Sequence, residues 1–296
     1  MDLTKKRWQW TLLILLAMIW GTSFILMKKG LESFTNNQVA SFRLFFTFLL
    51  FIPFLIRRIR LIHKKNLFPL LIVGFIGNGI PAFLFTKAQT EIDSSMAGIL
   101  NSLTPLFTLI IGLFFFKTHV KLINILGLIL GFMGAVGLIY NGNPILPGAH
   151  ANGFAFYILA ATLCYGISVN VIKFKLTELD GLSIAALAFM FIGPFGGINL
   201  VFSNLGASFA SPHALENLGF IFILSMFSSM VAVILFNILI KYTTAIFASS
   251  VTYIIPVFAV LWGLFDGENI GLDKVLWIFV ILIGVFLVNK QRMINL

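Results

Sequence analysis

A chain of 296 residues that is 59% hydrophobic and only 10% charged cannot clothe itself in a water-compatible surface, since a soluble domain carries about 25% charged side chains. The mean hydropathy of +1.04 puts the apolar surplus against lipid. The net charge of +10 does not mark a nucleic-acid binder, because the basic residues sit in short clusters between apolar runs.

From the N-terminus, Lys5-Lys6-Arg7 and the apolar run behind it have the shape of a secretory signal. No small-x-small cleavage site follows and the run is long, so it reads as a retained first helix. A helix rises about 1.5 Å per residue and the hydrocarbon core is about 30 Å thick, so each crossing needs roughly 20 mostly apolar residues. Ten runs qualify. The first half gives Trp10 to Met27, Gln38 to Ile56, Leu67 to Thr86, Ser94 to Phe116 and Leu122 to Tyr140. The second half gives Gly153 to Ile172, Leu182 to Ser203, Leu215 to Ile240, Thr244 to Phe265 and Val275 to Asn289. The runs are continuously apolar, without the alternation of a membrane strand, so the expected class is an all-α integral membrane protein.

The connections place the chain in the bilayer. With the N-terminus inside, Arg57, Arg58, Arg60, Lys64, Lys65, Lys117, Lys121, Lys173, Lys175, Lys241, Lys290 and Arg292 join the first triplet on the inner face. Only Lys28, Lys29, Lys87 and Lys274 face out. This asymmetry predicts a multi-pass protein of the inner (plasma) membrane with both termini cytoplasmic.

The sequence also compares with itself at about half its length. WGTSFILMK from Trp20 lies over YGISVNVIK from Tyr165, which places Gly21 on Gly166, Ser23 on Ser168 and Lys28 on Lys173. Pro105-Leu106-Phe107 lies over Pro256-Val257-Phe258, with Ala97 on Ala248 and Gly112 on Gly263. Two five-helix units, 1–141 and 142–296, follow. Because five is odd, the second enters the membrane inverted, as in carriers that work by alternating access.

The same segments resemble the EamA-type branch of the drug/metabolite transporter superfamily, along the whole chain. The marks are IWGTSF in the first helix, SFRLFF in the second and MAGILNSLTPLFTLIIG in the fourth. The last is repeated as FASSVTYIIPVFAVLWG near Glu268, whereas the first half has Lys117 where the family usually has an acid. The resemblance implies ten helices in two repeats, and export or exchange of amino acids or other small metabolites.

Arg43 is the one charge set well inside a span, where an arginine costs about 2.5 to 3.5 kcal/mol on insertion scales. Either its guanidinium faces a cavity and meets a substrate carboxylate, or it snorkels and pairs with a loop acid such as Glu32. Pro105 and Pro256 occupy matching places and read as paired hinges, each freeing a carbonyl toward a cavity. Asn101, Ser102 and Thr104 precede the first and Thr252 and Tyr253 precede the second, forming polar patches at mid-depth, of which Asn101, Thr104 and Tyr253 are candidate substrate contacts, with Asn78 of the third helix. Trp20 and Tyr165 match across the repeats and suit an apolar metabolite, or else simply pack. Gly127 and Gly131 form a GxxxG in helix five, which predicts close packing inside a monomer or, alternatively, a homodimer face.

The remaining expectations are absences. Cys164 is the single cysteine, which excludes an internal disulfide and argues against a thiolate metal site. All ten acidic residues fall in loops, tails or span borders, so facilitated diffusion or exchange is expected rather than proton coupling through a midplane carboxylate. No P-loop, HExxH or GxSxG pattern occurs, so no cofactor, resident metal or enzymatic reaction is expected. The expected partners are a small-molecule substrate and membrane lipid. A channel-like or structural membrane protein is the competing reading.

Overall fold

A computed structural model describes residues 3–118, 121–142, 151–267 and 272–289. The described residues are all helical, without a strand. The helices are α1 (Lys6–Leu31), α2 (Asn36–Arg58), α3 (Lys64–Ala88), α4 (Ser94–Phe116) and α5 (Leu122–Gly142). They continue as α6 (Ala151–Lys175), α7 (Gly181–Val201), α8 (Ala214–Tyr242), α9 (Ala245–Phe265) and α10 (Leu272–Asn289), with a short helix Leu205–Phe209 between α7 and α8. Eight of these are long and apolar enough to cross a membrane; α5 has a shorter apolar stretch, Leu122–Gly134. Of the ten expected spans, eight qualify among the described residues, and α5 and α10 occupy the places of the other two without meeting that standard. The connection 143–150, His119, Glu268 and the terminal Lys290 and Arg292 lie outside the described residues.

Helix ends are set by local chemistry. Thr35 and Gln38 form a reciprocal capping box, Gln38 N donating to Thr35 Oγ1 (3.3 Å) and Thr35 N to Gln38 Oε1 (2.9 Å), which starts α2. Asp180 starts α7 by accepting from Ser183 N (2.7 Å), and Thr244 starts α9 by accepting from Phe247 N (3.0 Å).

Without a hydrophobic drive between helices in lipid, close approach of backbones holds the bundle, and small residues decide where that happens. A Cβ on Gly21 of α1 would sit 2.5 Å from Phe258 Cβ of α9; one on Gly166 of α6 would sit 2.8 Å from the Phe107 carbonyl carbon of α4. Gly21 and Gly166, and likewise Phe258 and Phe107, are the pairs that the internal comparison superposes, so each half's first helix crosses the other half's fourth in the same way. Gly196 of α7 lies equally close to Ser41 O of α2 (2.7 Å). In α10, a Cβ on Gly284 would lie 2.6 Å from Gly131 N and 2.8 Å from Gly127 O. The GxxxG face therefore packs against α10 of the same chain.

The matched lysines Lys28 and Lys173 do different work. Lys28 Nζ reaches Asp266 Oδ2 (2.6 Å), and Lys29 Nζ reaches Asp266 Oδ1 (3.3 Å) and Glu32 Oε1 (2.9 Å), tying the end of α1 to the end of α9. Lys173 instead donates to backbone carbonyls at the end of α8, among them Ile240 O (3.0 Å). The Lys28 hydrogen bond, with that of Lys29, holds the Asp266 carboxyl below the usual carboxylate range against a smaller opposing effect of burial. A depressed carboxylate pKa contributes stability above its ordinary value, near 4, and loses it as pH falls through the folded-state value. Asp266→Asn is thus expected to remove an acid-dependent loss of thermal stability below pH about 4, with a cost at neutral pH under about 1 kcal/mol because the lysines are a third exposed. Melting curves of both proteins from pH 3 to 7 check this.

Candidate functional site

Two helices depart from α geometry in the middle of the protein. Residues Ile72–Gly79 of α3 and Leu224–Val231 of α8, the third helix of each half, run as wide π turns, a form that frees carbonyls and collects at functional sites. In α3 the wide turn, IVGFIGNG, comes so close to α7 that a Cβ on Gly74 would lie 2.7 Å from Ala188 O. Asn78 Nδ2 then donates to Val73 O (2.8 Å). In α8 serines replace the glycines. Ser228 O accepts from Trp20 Nε1 of α1 (3.0 Å), Ser229 Oγ from Arg43 Nε of α2 (2.7 Å), and Ser225 O from Thr47 Oγ1 (3.3 Å).

Between the wide turns lies a cavity of about 960 Å³, a volume that includes the open space at its mouth. Trp20, Arg43, Asn78, Asn101, Thr104 and Tyr165 all line it, so residues from five helices that the sequence reading singled out converge. Among the described residues Arg43 is the sole charged one in the lining. Glu32 is engaged by Lys29, so the alternative Arg43–Glu32 pair is not formed. Among the described residues the guanidinium has no carboxylate partner, and its side-chain hydrogen bond runs from Nε to Ser229 Oγ, while the residue lines the cavity.

One wall is aromatic. Phe85 stacks on Tyr165 with ring centres 5.9 Å apart, and Phe24 lies against Phe85 at 5.8 Å; Trp20 meets Phe236 edge-on at 4.9 Å. The rest of the lining is uncharged and mixed, with Ser23, Ser168, Asn237 and Thr252 set among apolar Met27, Leu44, Val73, Val169 and Ile172.

Tyr253 is not part of the cavity. It is 1% exposed and packs on Gly131 of α5, in a cluster with Ile99, Leu103 and Leu128. Successive helical residues differ by about 100°, so only one of Thr252 and Tyr253 faces inward, and it is Thr252. Pro105 and Pro256 also lie outside the lining. Each removes the donor to the carbonyl four residues earlier, and each freed carbonyl is taken by a hydroxyl: Asn101 O by Thr104 Oγ1 (2.9 Å), Thr252 O by Ser102 Oγ of α4 (3.1 Å). Neither carbonyl is left open to a substrate. The sequence reading missed Ser228, Ser229 and Asn237, although the cluster Ser225, Ser228 and Ser229 inside an apolar run was a visible signal. Ser23 and Ser168 occupy matching places in the internal repeat.

A helical membrane chain with this repeat and this cavity can be set beside known proteins. The EamA-like transporter family profile matches residues 8–140 and again 153–290. The chain belongs to the EamA-like transporter family. An archaeal relative from Archaeoglobus fulgidus, named an uncharacterized transporter, is 24% identical over 96% of this chain and 99% of its own length. The uncharacterized inner membrane transporter YedA of Escherichia coli is 26% identical over 95% and 90%, and the protein PagO of Salmonella typhimurium 24% over 95% and 92%. A protein of known crystal structure shares the fold at a TM-score of 0.74 and 12% identity, covering 98% of this chain and all of that one. This EamA-like protein is a multi-pass membrane transporter.

Proposed function

We propose that the protein is a secondary transporter moving small carboxylate-bearing metabolites, the class to which amino acids belong, by export, facilitated diffusion or exchange, and that it performs no chemistry on them. The observation that carries this reading is Arg43, held at Nε by Ser229 and lining the cavity, with no acid in that lining among the described residues. A charge inside a membrane span without a counter-charge is costly, so a counter-charge arriving with the substrate is favourable.

The cycle we propose is alternating access between units 1–141 and 142–296, inverted relative to each other in the inner (plasma) membrane, with both termini cytoplasmic. The matched crossings at Gly21 and Gly166, the wide turns in α3 and α8 and the two hydroxyl-capped prolines support it, because halves that share such devices can exchange conformations and turn one cavity to either face. Pro105 and Pro256 remain the proposed hinges. The cavity lining has no acid, which supports exchange or facilitated diffusion over proton coupling.

Counterflow in proteoliposomes tests the reading. Vesicles preloaded with unlabelled substrate are expected to take up labelled substrate transiently above equilibrium, without a pH gradient. Flux indifferent to internal substrate would indicate a channel, and uphill accumulation that needs a pH gradient would refute uncoupled transport.

A further inference from the structure

Resting on the reading of the cavity as the substrate site, we infer a narrower class: amphipathic organic monoanions, with one carboxylate, an apolar or aromatic body and no ammonium group. An amino acid satisfies only part of what the cavity offers.

Three observations converge. The lining carries one positive charge and no negative one, so a monoanion neutralises the cavity, whereas a zwitterion brings a second cation into a low-dielectric space that has no carboxylate to receive it. Main-chain carbonyls released by wide turns or prolines are the usual neutral seats for an ammonium, and here they are engaged. Ser228 O holds Trp20, Val73 O holds Asn78, and Thr252 O holds Ser102. The cavity therefore offers the donors of a guanidinium fork, which matches the two oxygens of a carboxylate. Finally, the Phe24–Phe85–Tyr165 wall provides a flat apolar surface for the body of the anion, with two of its rings already stacked on each other.

The test uses four probes that share a phenyl ring on a short chain: 3-phenylpropanoate, phenylalanine, 2-phenylethylamine and 3-phenylpropanamide. Binding to the purified full-length protein in detergent is read by titration calorimetry, which bilayer leakage of the free acid does not disturb. The expected result is that 3-phenylpropanoate binds at least about tenfold more tightly than phenylalanine, and that amine and amide bind more weakly still. Arg43→Lys keeps the charge but loses the fork, and Ser229→Ala releases Nε; each is expected to weaken the monoanion by about threefold to tenfold while the protein stays folded. Phenylalanine binding as tightly as the monoanion would overturn the inference and leave the transporter reading intact. Preference for the amine or amide, or affinities unchanged in both variants, would overturn the assignment of Arg43 as well. If none of the four binds, the inference fails, and counterflow with a metabolite extract decides separately on transport.

Discussion

Arg43→Gln is expected to abolish counterflow while the protein remains at least as heat-stable as the parent. Arg43 lines the cavity, a bidentate contact with a carboxylate uses both its Nη groups, and a hydrogen bond between charged partners contributes about 1.5 to 3 kcal/mol, so losing the pair removes about two decades or more of substrate affinity. The unliganded protein, by contrast, gives up an uncompensated cation set between α2 and α8 and loses one bond to Ser229. Exchanging a buried charge for a neutral group of similar shape is neutral or stabilising in such cases. Thermal melts and counterflow on the same preparation check both halves of this expectation. A fall in melting temperature alongside the loss of flux would assign Arg43 to packing rather than to the substrate.

The second large effect concerns the two equivalent crossings. Gly21→Ala and Gly166→Ala each force a Cβ into space already filled: by Phe258 Cβ and Ile255 O in one case, by the main chain of Phe107 and Thr108 in the other. Helix backbones cannot step aside as a flexible side chain does, so each substitution costs about 1 to 3 kcal/mol or more. Gly219→Ala, whose Cβ meets nothing within 4 Å, is the control and is expected to be neutral or to gain a few tenths of a kcal/mol from helix propensity. Melting temperature and the yield of monodisperse protein measure the difference. If Gly166→Ala behaves like Gly219→Ala, the α4–α6 contact is looser than described.

How far the site was legible in the sequence differs by residue. Arg43, Asn78 and Asn101 were visible because a polar group inside an apolar run carries a cost that calls for a reason. Trp20 and Tyr165 came from their matching places in the two halves. All five, with Thr104, meet at one cavity. Tyr253 was misplaced because adjacency along the chain says nothing about which of two neighbours a helix turns inward. The prolines were correctly seen as breaks in the hydrogen-bond ladder, yet the partners of the freed carbonyls, Thr104 within α4 and Ser102 across to α9, depend on contacts that no local pattern encodes.

The sequence by itself determined that the protein lives in lipid, that it is helical, where most spans run and that its halves correspond, because bilayer thickness and the charge of the connections act on local stretches of chain. The tertiary structure alone decided that α10 covers the GxxxG stripe, that Glu32 belongs to Lys29, and that the wide turns of α3 and α8 face each other across one cavity. Helix periodicity is a local property, but rotation about the helix axis and the choice of neighbour are settled only when backbones touch, and glycines far apart in the chain set how closely they do.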